Sequence, residues 1–214
     1  MHPFRHMKIL IVAATEFEIA ESIPFLQEYQ VDYLITGVGM TATAFALGQR
    51  LAKESYDLLV NVGIAGTLDP SRSLGDLVRV TKDQIYQFGA EDKGNFVSIE
   101  TLGFGHSSFH AVLPETQLPP VYTQLDAVEG ISVNKVHGSE QSISELNQTL
   151  SPQTIESMEG AAFFYCATQA NVPAIQVRSI SNFVEPRNTK NWNIPYALSK
   201  LNHWFREFIL QHRS

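Results

Sequence analysis

Three short stretches of this chain carry side-chain types that do chemistry, and each lies where one element gives way to the next. Glu16 and Glu18 follow the apolar run Ile9-Leu10-Ile11-Val12-Ala13-Ala14, Met158-Glu159-Gly160 leads into a helical pattern of small and aromatic residues, and Ser181-Asn182 ends the apolar run from Pro173. A carboxylate just past a buried strand is partly desolvated, which suits it to orient and deprotonate a water molecule. One at a helix N-terminus is steadied by the local dipole and can accept hydroxyl protons while spreading negative charge near a developing cation. An asparagine amide offers a neutral donor and an acceptor together. Plainer readings stand beside these: Glu159 as a helix cap, Met158 as core filling, Asn182 as an ordinary turn residue.

The elements that must position these groups follow from the spacing of apolar residues. Short runs rich in β-branched residues alternate with helical patterns, which predicts an α/β fold: a three-layer αβα domain whose central mixed sheet is mostly parallel. Strands are expected over 8–14, 31–37, 57–63 and 173–181, with helices around 20–26, from the Gly37-Val38-Gly39 turn through Leu51, from Pro152 to about Ala170, and through Ala197, Leu198, Leu201, Phe205, Phe208 and Ile209. The segment from Leu77 to about Pro120 reads as β-like, with a turn at Gly94-Asn95 and a loop at Gly103-Phe104-Gly105-His106. In open sheets of this kind ligands collect at the carboxyl ends of the strands, where the three stretches fall.

Composition narrows the partners. At 214 residues and 44% apolar content the chain fits one domain with a continuous core, 1–214, with Met7-Lys8 as a natural start and 1–6 as a frayed leader. A formal charge of −7 and no basic block argue against nucleic acid. Cys166 is alone, no apolar signal segment opens the chain and no run reaches the roughly 20 apolar residues of a membrane span, so a soluble, cytoplasmic protein is expected. His106 and His110, with Glu91 or Glu100, mimic ligand spacing, but they fall in a loop without a fitting third ligand, and neither metal nor cofactor is expected.

The ordered set of pieces resembles the nucleoside phosphorylase and nucleosidase superfamily, which includes the methylthioadenosine/adenosylhomocysteine nucleosidases and the futalosine hydrolases. The matching pieces are the first strand with its Glu-rich turn, Asn61-Val62-Gly63-Ile64-Ala65-Gly66 followed by Gly75-Asp76-Leu77-Val78, the Met158-Glu159 pair, and Val177-Arg178-Ser179-Ile180-Ser181-Asn182. They cover nearly the whole chain, and the interval of 23 residues from Glu159 to Asn182 resembles the family spacing.

The resemblance implies cleavage of the N-glycosidic bond of a purine nucleoside through an oxocarbenium-like sugar. Glu159 would grip the ribose hydroxyls, Met158 would pack on the ribose face, and Glu18, with Glu16 as the competing register, would activate water. Ile64 and Gly66 would line the pocket after the third strand; Ser181 and Asn182 would meet the base, with His137, or Val136 in the alternative register, contacting it from the other side. Adenine-specific relatives have Asp where this chain has Asn182; a neutral amide favours a 6-oxopurine but leaves a water or a tautomer of the base to supply the leaving-group proton. Related phosphorylases place an Arg where Asn61 stands, and 15–22 contain no Arg or Lys, so water is expected as the acceptor, with Arg72 as the cation to watch.

The tail Asn182-Phe183-Val184-Glu185-Pro186-Arg187-Asn188 with Asn191-Trp192-Asn193-Ile194-Pro195 resembles the futalosine hydrolases, whose substrate carries an aryl carboxylate beyond the ribose. Arg187 is then expected to grip that carboxylate, unless it is a surface ion pair, and Phe88, Phe104 and Trp192 are possible pocket walls. The resemblance also implies at least a homodimer. A purine nucleoside phosphorylase, an adenine-type nucleosidase and a noncatalytic purine-binding protein are the other readings.

Overall fold

The computed structural model describes residues 7–115 and 117–212, and the expected leader lies outside them. In chain order the elements are β1 (Ile9–Ala13), α1 (Glu16–Ile19), α2 (Ile23–Glu28), β2 (Asp32–Ile35), α3 (Met40–Leu51), β3 (Leu58–Thr67), β4 (Leu77–Ile85), β5 (Gly89–Asp92), β6 (Asn95–Ser98), β7 (Ser108–His110), α4 (Pro120–Thr123), β8 (Asp126–Ser132), α5 (Glu140–Thr149), β9 (Ile155–Ser157), α6 (Gly160–Ala170), β10 (Ala174–Phe183) and α7 (Ile194–His212). The fold is α/β, a mixed, mostly parallel central sheet flanked by helices.

β1 is apolar at every position because both of its faces are covered. Ile9 and Ile11 join Val60, Ile175, Leu201, Phe205 and Phe208 under α7, while Leu10 and Val12 join Leu59, Val78, Phe163 and Phe164 under α3 and α6. The alternation of a strand thus sorts one short run into two cores.

The sheet runs β2-β1-β3-β10-β4-β8-β9, and β9 then pairs back onto β3. β3 makes this closure possible by its length. Leu58 to Asn61 pair with β1, whereas Gly66 and Thr67 pair with β9, so the strand leaves one neighbour and takes up another. The same closure corrects the sequence reading after Pro152. Residues Ile155–Ser157 are not helical but extended, held between β3 and β8, and the helix begins only at Gly160.

Two local conformations follow directly from residue type. Gly39, which precedes α3, has φ +93°, a region glycine enters without a Cβ clash. Lys93 and Gly94 both have positive φ and form the tight hairpin joining β5 to β6, one residue before the expected Gly94-Asn95 turn, because Asn95 already pairs with Asp92. Among the described residues no helix is long and apolar enough to cross a membrane.

Candidate active site

A cavity of about 300 Å³ opens where the carboxyl ends of β1, β3, β8, β9 and β10 meet. Glu18 enters it from α1, Ile64 and Gly66 from β3, and Ser181 and Asn182 from β10. Val136 and His137 enter from the segment after β8, and Met158 and Glu159 from the segment after β9. The walls include Phe17, Val38 and Trp192. Glu16 is exposed and does not line the cavity. Phe88 and Phe104 are also surface residues, 43% and 80% exposed, so the expected walls reduce to Trp192. Arg187 stands one layer back, its guanidinium 5.1 Å from the Trp192 ring centre. Arg72 is occupied elsewhere, bonded to Asp126 at 3.1 Å and close to Asp69.

Glu18 is held by the turn it belongs to. Its Oε2 accepts the Thr15 N–H at 2.9 Å and lies 3.2 Å from the Thr15 hydroxyl, a reciprocal capping arrangement that fixes the carboxylate at the start of α1. Burial pushes its pKa above the usual carboxylate range, against the opposing pull of the Thr15 amide and the Arg178 guanidinium; the Glu159 charge pushes it further up. Arg178 is 1% exposed, donating to Asn61 Oδ1 and to the Val177 carbonyl at 3.2 Å, with Nε left unpartnered. Burial lowers its pKa, and Glu159, Glu18 and Asp83 oppose that. Desolvating a lone guanidinium costs several kcal/mol, so the three carboxylates around it are part of what keeps it in place.

Glu159 precedes α6 but does not cap it. Its Oε1 accepts the Gly39 N–H at 2.9 Å, at the start of α3, and its Oε2 accepts the Met158 N–H at 3.2 Å. The carboxylate therefore lies where two helix N-termini converge, a site that favours negative charge. Asn182 is set by a bulge. β10 pairs Ile180 with Ala65 and then Asn182 with Gly66, so Ser181 is the extra residue. The Ser181 hydroxyl lies 2.8 Å from Asn182 Oδ1, and Asn182 Nδ2 donates to the Phe183 carbonyl at 3.0 Å. The amide oxygen is thus engaged, and one N–H of Nδ2 remains to face a ligand acceptor.

A family model described as Phosphorylase superfamily matches residues 19–207. The chain belongs to that superfamily. It is 33% identical over 180 residues to futalosine hydrolase of Acidothermus cellulolyticus, covering 81% of this chain and 73% of that one. It is 31% identical over 183 residues to futalosine hydrolase of Streptomyces coelicolor, covering 79% and 74%. A solved structure, the 5'-methylthioadenosine/S-adenosylhomocysteine nucleosidase from Helicobacter pylori with butyl-thio-DADMe-Immucillin-A, shares the fold at a TM-score of 0.77 and 13% identity, over 97% of this chain and 99% of that one. The chain is a nucleosidase of the phosphorylase superfamily, a hydrolase of N-glycosyl bonds.

In this superfamily nucleosidase three buried groups carry no role in the sequence reading, although Arg178 and Glu156 fall inside its leading stretches. Arg178 lies inside the stretch that carries the resemblance, yet an Arg within an apolar strand gives no sign of which face it takes. Glu156 and Asp83 are the others. Glu156, 5% exposed, lines the cavity and accepts the His137 backbone N–H at 3.1 Å and its ring Nδ1. Burial raises its pKa, against the pull of His137. Asp83, 1% exposed, accepts from Ser132 at 2.9 Å and from Gln176 at 3.0 Å, and burial pushes its pKa up to about 6. Ser132 in turn accepts the Ala161 N–H at 2.8 Å, tying Asp83 to the first turn of α6 behind Glu159. Among the described residues no group of three or more His, Cys, Asp or Glu is gathered to hold a metal ion.

Proposed function

We propose that this nucleosidase hydrolyses a 6-oxopurine nucleoside, with futalosine the best-supported substrate and hypoxanthine the base released. The observation that carries the reading is the convergence of Glu18, Glu159 and Asn182 on one cavity, joined to the futalosine hydrolase relatives above 30% identity. Glu159 accepts the ribose hydroxyls and draws the developing positive charge toward itself. Glu18 orients water on the anomeric carbon and takes its proton, while Met158 packs on the sugar. The free Asn182 N–H donates to O6 or N7 of the leaving base, a role that needs no ionisation.

Water is favoured over phosphate by the charges beside the nucleophile position. Glu18 and Glu159 repel a dianion, and the nearby Arg178 is engaged by Asn61 and the Val177 carbonyl. Arg187, behind Trp192, is the cation nearest at hand for an aryl carboxylate beyond the ribose. The enzyme acts in the cytoplasm as a homodimer. Support for the dimer comes from exposed apolar side chains: Phe17 at the cavity is 66% exposed, and Phe45 and Tyr165, 66% and 45% exposed, line one shallow groove on α3 and α6. Sedimentation should give about twice the chain mass of 23.9 kDa.

The test is purine release from futalosine, aminodeoxyfutalosine, inosine and methylthioadenosine, each with and without phosphate. Hypoxanthine released from futalosine without phosphate is the expected result. Preferred release of adenine would overturn the base assignment, and phosphate dependence would make the acceptor phosphate.

A further inference from the structure

The pair of buried Glu156 and half-buried His137 faces the cavity, and beyond the base contact expected of His137 it has no part in the steps proposed above. Glu156 on β9 and Asn182 on β10 are both register partners of Gly66, one on either side of β3. Residues opposite one another across a sheet project to the same face, so the two side chains rise on the same side with Gly66 between them. Two strand spacings put their backbones roughly 10 Å apart. Gly66 adds no side chain to that gap, and a Cβ there would come within 3.0 Å of Asn182 Nδ2 and of the Val184 side chain. The result is a slot floored by backbone, with an amide at one end and a carboxylate at the other.

We propose that Glu156 reads the N1–H edge of the purine, making it a specificity-determining residue for 6-oxopurines. A carboxylate has about four acceptor positions. His137 takes two of them with its backbone N–H and its ring Nδ1, leaving the others for a donor in the cavity. Hypoxanthine presents N1–H next to O6 and N7, so one flat base can donate to Glu156 while it accepts from Asn182. Adenine presents a bare N1 lone pair, which would face the carboxylate across a desolvated contact. A site that hydrogen-bonds a ligand N–H rejects the analogue lacking it, because its own buried group is left unpaired. His137 acts through Glu156 as a positioning residue, holding the carboxylate by its backbone N–H and its ring. The inference rests on the 6-oxopurine reading above.

The experiment compares kcat/KM for futalosine and aminodeoxyfutalosine in the wild type, Glu156→Gln and Glu156→Asp. Wild type is expected to favour the hypoxanthine substrate by at least about 100-fold. Glu156→Gln, whose amide can donate to the adenine N1, should shrink that ratio to below about tenfold, and Glu156→Asp should keep most of it at a lower rate. Equal losses on both substrates in Glu156→Gln, with wild-type preference for hypoxanthine intact, would overturn the role of Glu156 alone. A wild type that prefers adenine would overturn the 6-oxopurine reading itself, and the inference with it. Should Glu156→Gln not fold, competition by free bases on the wild type decides: 1-methylhypoxanthine, which lacks the N1–H, should inhibit at least about 100-fold more weakly than hypoxanthine, and equal inhibition would overturn the proposal.

Discussion

Glu18 lies directly against Gly63: a β-carbon on Gly63 would stand 2.8 Å from Glu18 Oε1 and 3.5 Å from the guanidinium carbon of Arg178. The glycine in β3 therefore sets how deeply the carboxylate can sit. Gly63→Ala should displace Glu18 by a few tenths of an ångström or more. A misplacement of about 1 Å in a reacting group can cost on the order of 100-fold. The expected result is a kcat lowered about 10- to 100-fold with KM within about threefold. An unchanged kcat would show that the contact does not tune the base.

Replacing the carboxylate altogether is the stronger test. Glu18→Gln should lower kcat by about 10²- to 10⁴-fold, the range for loss of a general base, while an unreactive nucleoside analogue still binds. The base must be ionised, so activity falls as pH drops through its pKa, and burial has raised that pKa. Wild-type kcat/KM should therefore lose activity on the acid side above the usual carboxylate range. A pH profile that keeps the same acid limb in Glu18→Gln would assign the limb to another group.

Asn182→Asp tests the base-facing end of the slot. The Ser181 hydroxyl that now sits 2.8 Å from Oδ1 can hold a carboxylate oxygen in the same place. The fixed N–H is lost and an ionisable acceptor takes its place. Release of hypoxanthine should fall by about 100-fold or more, and adenine release should rise relative to it. A constant ratio of the two would remove Asn182 from base selection.

How much of this was legible in the sequence depends on the range over which each feature is encoded. β1 is announced by an unbroken apolar run, β3 and β10 by apolar runs interrupted at Asn61 and at Gln176 and Arg178, and α7 by the helical period of Ala197, Leu198, Leu201, Phe205, Phe208 and Ile209. The short strand Ile155–Ser157 was not, because only its pairing with Gly66 and Ile131 keeps it from joining the helix that follows. The same contrast holds at the site. Glu18, Glu159 and Asn182 stand at element ends, where polar residues are conspicuous. Glu156, Asp83 and Arg178 are buried inside strands, and their partners His137, Gln176 and Asn61 are distant in sequence. No local pattern could have paired them.

Arg187 offers a test of what lies beyond the ribose. Its guanidinium over Trp192 is set next to, and not within, the cavity wall, and under the proposed function it meets the substrate only where that extends past the sugar. Arg187→Ala should weaken futalosine at least about tenfold in kcat/KM and change inosine by less than about twofold, measured side by side. Equal losses on both would make Arg187 a structural support for Trp192 and nothing more.

Asp83 gives the enzyme a stability cost at neutral pH that can be removed. Its pKa in the fold is about 6 against 3.8 in the free side chain, so the native state holds its proton more tightly than the unfolded chain does. The favourable contribution is complete below pH 3.8 and is lost as pH rises through about 6. At 1.36 kcal/mol per pKa unit the loss is on the order of 3 kcal/mol, a figure that already includes the attraction of Arg178 for the ionised Asp83. Asp83→Asn keeps the shape beside Gly160, where a Cβ would already lie 2.0 Å from Oδ2. Its oxygen can still accept from Ser132, and once the Gln176 side-chain amide, whose Nε2 now donates to Asp83 Oδ2, turns over, the new NH2 can donate to Gln176 Oε1, which has no partner. The variant should be more stable than wild type by about 1 to 3 kcal/mol at pH 8, with the gap closing toward pH 4. Urea unfolding across that range is the measurement. Parallel stability curves would mean that Asp83 carries no excess proton in the fold.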